Sequence, residues 1–217
     1  MKNHKLSLIK IHVAVLLFGI TGLFGKFLNM PPQYIVLGRV FFASLSIGLY
    51  LIVSKSSVKL ASIKDYIIVI VMGVLLALHW TAFFKSVQVS TVAIALLTFS
   101  AYPIFVTFIE PMMFKEKLKK IDIIFAFLMF VGVILIVPKF DLRNDLTIGV
   151  LWGMFACFTF SIMSLLNRKL AANYSGSLIT FYEQVTASIV LMPVLFFHKP
   201  ELTTFDWGLI ILLGVVF

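Results

Sequence analysis

Seven stretches of this chain are each long and apolar enough to cross the roughly 30 Å of hydrocarbon in a bilayer, and no soluble fold accommodates that. They cover about residues 9–28, 34–53, 66–86, 91–110, 121–137, 148–167 and 177–197. An eighth begins near Phe205 and reaches Phe217 after about 13 residues, where ~20 make a crossing. Lipid offers no hydrogen-bond partners, so each crossing must satisfy its own backbone, as a helix does. Composition agrees: 61% of residues are hydrophobic, 12% are charged, and the mean hydropathy is +1.10. The expected class is all-α, a polytopic transmembrane helix bundle.

The segments also repeat. Residues 35–43 (IVLGRVFFA) align in pattern with residues 179–187 (ITFYEQVTA), 144 positions later. Asp65 with Gly73, and Asp206 with Gly214, keep one spacing of eight at an offset of 141. Five segments fit within that period, and an odd number turns the second copy upside down in the membrane. Inverted repeats of this kind are a common construction of alternating-access transporters. The expected units are 1–140, a first five-helix unit, and 141–217, holding helices six, seven and the start of eight. A full second copy would need about 60 further residues, giving ten helices in a 5+5 arrangement.

Lysine and arginine set the expected orientation. Twelve of them fall on one side: Lys2, Lys5, Lys10, Lys55, Lys59, Lys64, Lys115, Lys117, Lys119, Lys120, Arg168 and Lys169. The other side has Lys139, Arg143 and Lys199 in loops, with Lys26 and Lys85 at helix ends. The positive-inside rule then places the N-terminus in the cytoplasm. It also accounts for the net charge of +9 without nucleic acid, since the lysines are short flanking clusters rather than one basic face. The single cysteine, Cys157, lies inside the sixth span and reads as a small packing residue. No metal or cofactor motif stands out, and no G-x-x-x-x-G-K-[ST] run offers a phosphate loop for ATP.

Ionisable groups within hydrocarbon are costly, so Arg39, His79, Lys85, Glu110 and Glu183 each need a reason. Counting residues from the helix ends puts Arg39 and His79 at similar depth in the outer half, with Lys26 and Lys85 at the outer mouth. These cations bias the outer half of any cavity toward anions or carboxylates. Glu183, the repeat partner of Arg39, falls in the inner half, more than about 10 Å away in depth, so no direct ion pair is expected. A lone carboxyl in hydrocarbon takes up a proton readily, which makes Glu183, with His79, a candidate proton carrier. Each has a plainer reading: Arg39 bonded to carbonyls of a broken helix, His79 packed beside Trp80, Lys85 anchored at the interface, and Glu110 with Pro111 ending the fourth helix. Gly19, Gly22 and Gly25 form a stripe on the first helix that permits close approach. In the fourth helix Pro103 frees a carbonyl near Phe99, which Thr98 and Ser100 are placed to satisfy. Thr98 and Tyr102 thereby join Arg39, His79, Trp80 and Glu183 as candidates for a substrate path.

The run LHWTAFFKSV at 78–87, continuing through AIALL at 93–97 and YPIFV at 102–106, resembles the EamA family of the drug/metabolite transporter superfamily. The segment EPMMFKEKL at 110–118 is similar to that family's glutamate-lysine-leucine turn, and GVIL at 132–135 and LNRKL at 166–170 fit its fifth and sixth helices. The resemblance implies ten helices in two inverted units around a central cavity, exporting amino acids, other metabolites or drugs, usually across the bacterial inner membrane. It implies no universal site. By position, Arg39 matches a frequent second-helix arginine, and His79 and Trp80 fall on the cavity-facing third helix. The first helix lacks the glutamate that small multidrug transporters use for cationic drugs.

The expectation is therefore a secondary transporter, not an enzyme, without cofactors, that exports a small molecule such as an amino acid. Its partners are that substrate and the lipid bilayer, with room for a homodimer and no role for nucleic acid. A membrane scaffold or sensor is the alternative reading. An intramembrane enzyme with His79 as base and Glu183 or Glu110 as acid is disfavoured by their different depths.

Overall fold

The computed structural model describes residues 2–136, 141–197 and 200–217, and every regular element in it is helical. The helices are α1 (Lys2–Phe27), α2 (Pro32–Val53), α3 (Ile63–Val89), α4 (Val92–Phe99), α5 (Tyr102–Phe114), α6 (Lys120–Ile136), α7 (Asp145–Ala171), α8 (Gly176–Leu191) and α9 (Thr204–Val216). A 3-10 turn, Met192–Phe196, prolongs α8. Among the described residues, five helical stretches are long and apolar enough to cross a membrane; α4 with α5, and α8 with its 3-10 turn, each count as one. Helix α6 has 17 described residues and α9 has 13. The expected unit boundary at 140/141, and the side chains of Lys2, Lys5, Lys10, Lys139 and Lys199 that enter the charge count, lie outside the described residues.

Local chemistry fixes the ends of these helices. Pro32 opens α2, where a missing N–H costs nothing. Ser62 caps α3 through the Asp65 amide, and its hydroxyl donates to the Asp65 carboxylate at 2.9 Å. Thr203 caps α9 in the same way through Asp206, as a reciprocal capping box. The two caps stand 141 positions apart, the offset of the sequence repeat.

Packing repeats with the same offset. Helix α3 meets α8 where a Cβ on Gly73 would stand 2.8 Å from the Glu183 carbonyl oxygen and against the Thr186 side chain. Helix α9 meets α2 where a Cβ on Gly214 would stand 2.7 Å from the Arg39 carbonyl oxygen and 2.7 Å from Phe42 Cβ. Gly73 corresponds to Gly214, Glu183 to Arg39 and Thr186 to Phe42, so one contact is made twice. Between these contacts α2 and α8 run antiparallel. The Tyr34 hydroxyl donates to the Val194 carbonyl at one end, and the Phe181 ring sits over Gly48 toward the other.

The bundle has two unlike ends. At the lysine-rich end, Tyr174 donates to Asp65 at 2.7 Å and receives the Ala61 amide at 2.7 Å, while Tyr182 donates to the Val58 carbonyl at 2.7 Å. Arg168 also pairs there with Glu110 and, at 3.1 Å, with Glu116, and lies over the Phe114 ring. The second half of the chain thus closes over the first at this end. At the opposite end lie the α1–α2 linker and the starts of α4, α7 and α9.

Three details correct the sequence reading. Helix α5 continues through Pro111 to Phe114 and stops at Lys115, which takes the left-handed conformation at φ 56°, so Glu110 does not end it. Gly22 and Gly25 do face close neighbours, Val92 and Phe84 with Val87, but Gly19 faces open space. The fourth span breaks between Phe99 and Tyr102; Ser100 donates to the Leu97 carbonyl at 2.6 Å, and the Thr98 hydroxyl has no partner among the described residues. Instead Cys157 donates its thiol to the Thr98 carbonyl at 3.2 Å and lies 3.5 Å from that of Phe99. Ser161, one turn on, shares its hydroxyl proton between the Cys157 carbonyl at 2.8 Å and the Tyr102 carbonyl at 3.0 Å.

Helix α7 therefore presents Gly149, Gly153, Cys157 and Ser161, four residues apart, to α3, α4 and α5. The glycines let the helices touch, and the thiol and hydroxyl bind the broken backbone. Exchanging Cys157 for serine is expected to leave thermal stability in detergent nearly unchanged. Alanine is expected to lower it by about 0.5–1 kcal/mol, the usual worth of such a bond in a membrane. Equal loss in both variants would show that packing volume, not the donor, matters at this position.

Candidate functional site

The broken span and the glycine contacts bring most of the predicted path residues to one place. Trp80 on α3 is buried, and the Arg39 guanidinium from α2 lies 3.8 Å from its ring centre. The Phe18 ring of α1 is parallel to that indole, at 6.4 Å. An arginine over an indole is a favourable cation–π arrangement, more so away from water. Arg39 is itself buried; its Nη2 donates to the Phe217 carbonyl at 2.9 Å, while Nε and Nη1 have no partner among the described residues.

His79 sits beside Trp80 in an aromatic cage. Its ring centre is 5.1 Å from Trp80, 5.2 Å from Phe99 and 5.1 Å from Phe160. Nδ1 is 3.0 Å from the Ala156 carbonyl of α7; that oxygen can only accept, which assigns the proton to Nδ1. Tyr102, at the start of α5, stacks on Phe99 at 5.8 Å and meets Phe160 edge-on at 5.2 Å. The break at residues 100–101 lets both rings turn toward α7. A small cavity of about 70 Å³ lies between Phe18, His79, Trp80, Phe83, Leu96 and Phe99.

Two predicted residues lie apart from this cluster. Thr98 is fully buried against Gly153 and its hydroxyl has no partner among the described residues. Glu183 is buried on α8, its Oε1 likewise without a partner, and no ion pair among the described residues joins it to Arg39. Gly48 under Phe181 places Glu183 near residues 46–47 of α2, about seven residues or ~10 Å from Arg39 along the helix. His79 and Glu183 therefore do not face one reacting centre, as an acid–base pair must. The cluster sets a cation with donors unpartnered among the described residues against aromatic faces.

Sequence reading missed Phe18, Phe83, Phe99 and Phe160, since in a chain with 23 phenylalanines no single ring stands out. It also treated Cys157 as filler. The signal for that residue was present, because Gly149, Gly153, Cys157 and Ser161 recur every fourth position.

Comparison with known proteins agrees with this architecture. The Bacillus subtilis (strain 168) protein named "Uncharacterized transporter YxxF" is 24% identical over 220 residues, covering 99% of this chain and 70% of that protein. A crystal structure described only as that of a protein superposes with a TM-score of 0.61 at 15% identity, over 92% of this chain and 73% of the other; it shows the fold alone. The model of the EamA-like transporter family matches residues 5–137, including α2, α3 and the broken α4–α5 span that carry the cluster. With its multi-pass helices and that match over more than half its length, this chain belongs to the EamA-like transporter family of membrane transporters.

Proposed function

We propose that this protein is a secondary transporter that exports small metabolites such as amino acids by alternating access between two inverted units. The first is residues 1–140 and the second begins at 141. The observation that carries the reading is the doubled contact, Gly73 on Glu183 and Gly214 on Arg39. Two equivalent helix crossings around an antiparallel α2–α8 pair allow one unit to rock against the other while each crossing keeps its packing. The tyrosine and Arg168 contacts at the lysine-rich end, against an open cavity of about 690 Å³ at the other, fit a state closed on one side. The excess of lysine and arginine supports placing the closed end and the N-terminus in the cytoplasm of a bacterial cell, with the protein in its inner membrane.

In this reading Arg39, Trp80, His79, Thr98 and Tyr102 line the substrate path, and Glu183 or His79 carries a coupled proton. Counterflow in proteoliposomes tests it. Labelled amino acids from a mixed pool are expected to exchange saturably, with one unlabelled member blocking the exchange. A Glu183→Gln protein is expected to keep that exchange, which needs no net proton movement, and to lose accumulation driven by a pH gradient. Accumulation that persists in the variant would remove Glu183 from coupling. Absence of exchange for every amino acid would remove them as substrates.

A further inference from the structure

The cavity of about 690 Å³ lies at the end of the bundle opposite the lysine-rich loops, walled by the α1–α2 linker, the last turns of α3 and Trp152 of α7. Two lysines line it, and the structure gives them different tasks. Lys26 donates to the Ser90 carbonyl at 2.9 Å and the Gln88 carbonyl at 3.3 Å, so its charge is spent on the free carbonyls at the C-terminus of α3. Gln88 in turn donates to the Met30 carbonyl at 2.8 Å, tying the linker to the same helix end. Lys85 is half-buried and has no hydrogen bond or ion pair among the described residues. One turn deeper, the Thr81 hydroxyl is buried without a partner among the described residues. Among the described residues no acidic side chain lines the cavity, while Asn29 and Gln33 do.

A cavity with one uncommitted cation, an unpaired hydroxyl beneath it, neutral amides and an indole at its wall is built for an anion with an apolar body. Resting on the transporter reading, we infer that this cavity is a vestibule that selects the carboxylate group of the substrate, with Lys85 as its charged ligand and Thr81 as a second donor. Substrates then arrive carboxylate first, and an amine of the same shape meets Lys85 as a like charge. Lys26 is a positioning residue, holding the linker that forms the cavity wall.

The test uses the isosteric probes phenylacetate and phenethylamine, with purified protein in phosphatidylcholine nanodiscs, where no anionic headgroup competes for Lys85. Phenylacetate is expected to bind saturably and phenethylamine not. Lys85→Gln is expected to weaken phenylacetate ~10- to 100-fold, the worth of one charge-assisted hydrogen bond, with Lys85→Arg restoring most of it and Thr81→Val losing about tenfold. Size-exclusion profiles identical to the parent show that the variants are folded. Equal binding of the two probes, no saturable phenylacetate binding, or binding indifferent to Lys85 overturns the inference. Counterflow in proteoliposomes made from the same purified proteins separates the two readings. Exchange intact with binding indifferent to Lys85 overturns the vestibule alone. Lys85-dependent binding in a protein that exchanges nothing supports the vestibule and overturns the transport role.

Discussion

Gly73→Val is expected to lower the melting temperature in detergent by up to about 10 °C, or to prevent isolation of monodisperse protein. A Cβ there stands 2.8 Å from the Glu183 carbonyl oxygen and closer still to Thr186. The carbonyl is backbone, so it cannot rotate away, and relief requires α8 to move as a body. Overpacking of a well-packed site costs about 1–3 kcal/mol and occasionally more. In lipid there is no hydrophobic gain to offset the separation, because association of membrane helices rests on close packing. At roughly 2–4 °C per kcal/mol for a chain of this size, that range reaches about 10 °C. Gly214→Val, which meets the Arg39 carbonyl and Phe42, is expected to behave alike if the two contacts are equivalent. Gly132→Val is the control, since nothing lies within 4 Å of its added Cβ. Size-exclusion chromatography after heating reads all three. A Gly73 variant as stable as the Gly132 variant would sink the account of the repeat as a packing device.

Much of this architecture was legible in the sequence because membrane physics leaves few choices. Apolar runs of ~20 residues must be helices, so α2, α3, α7 and α8 fall within a few residues of their expected bounds. The Asp–Gly spacing at 65/73 and 206/214 was also readable, since Asp serves the cap and Gly the crossing on one helix face. The repair of the fourth span was not readable. Proline at 103 announces a break near Phe99, but the donor to the Thr98 carbonyl there comes from Cys157, 54 positions after the proline, and only the packing of α7 selects it. Glu110 was misread for a similar reason: a proline at 111 weakens a helix, yet the backbone continued through it to Phe114.

For the candidate site, sequence supplied Arg39, His79, Trp80 and Tyr102 and missed the phenylalanines around them. Arg39 and His79 are conspicuous because ionisable groups are rare in hydrocarbon, and counting rise per residue placed both at similar depth in the outer half. The aromatic cage could not be counted out in this way. Phe99 and Phe160 reach His79 because one helix breaks and another presents glycines, and neither event has a local signature in the phenylalanines themselves.

Arg39→Met is expected to keep or raise thermal stability while cutting exchange by about 100-fold or more. The guanidinium is buried, and among the described residues it has no ion-pair partner and its Nε and Nη1 are unpartnered. Replacing a buried charge by an apolar side chain of similar volume is often neutral or stabilising by ~1–4 kcal/mol. Methionine can still pack on Trp80, so the fold loses the contact with the Phe217 carbonyl and little else. A substrate that used the two free donors would lose two charge-assisted hydrogen bonds, about 3–6 kcal/mol, or at least ~100-fold. Arg39→Lys keeps the charge without the planar fork and is expected to fall between, near tenfold. Melting curves and counterflow on the same preparations make the roles separable. Stability and flux lost together would make Arg39 a packing residue. Flux retained in the methionine variant would take Arg39 off the substrate path and leave Trp80 and the aromatic cage to define it.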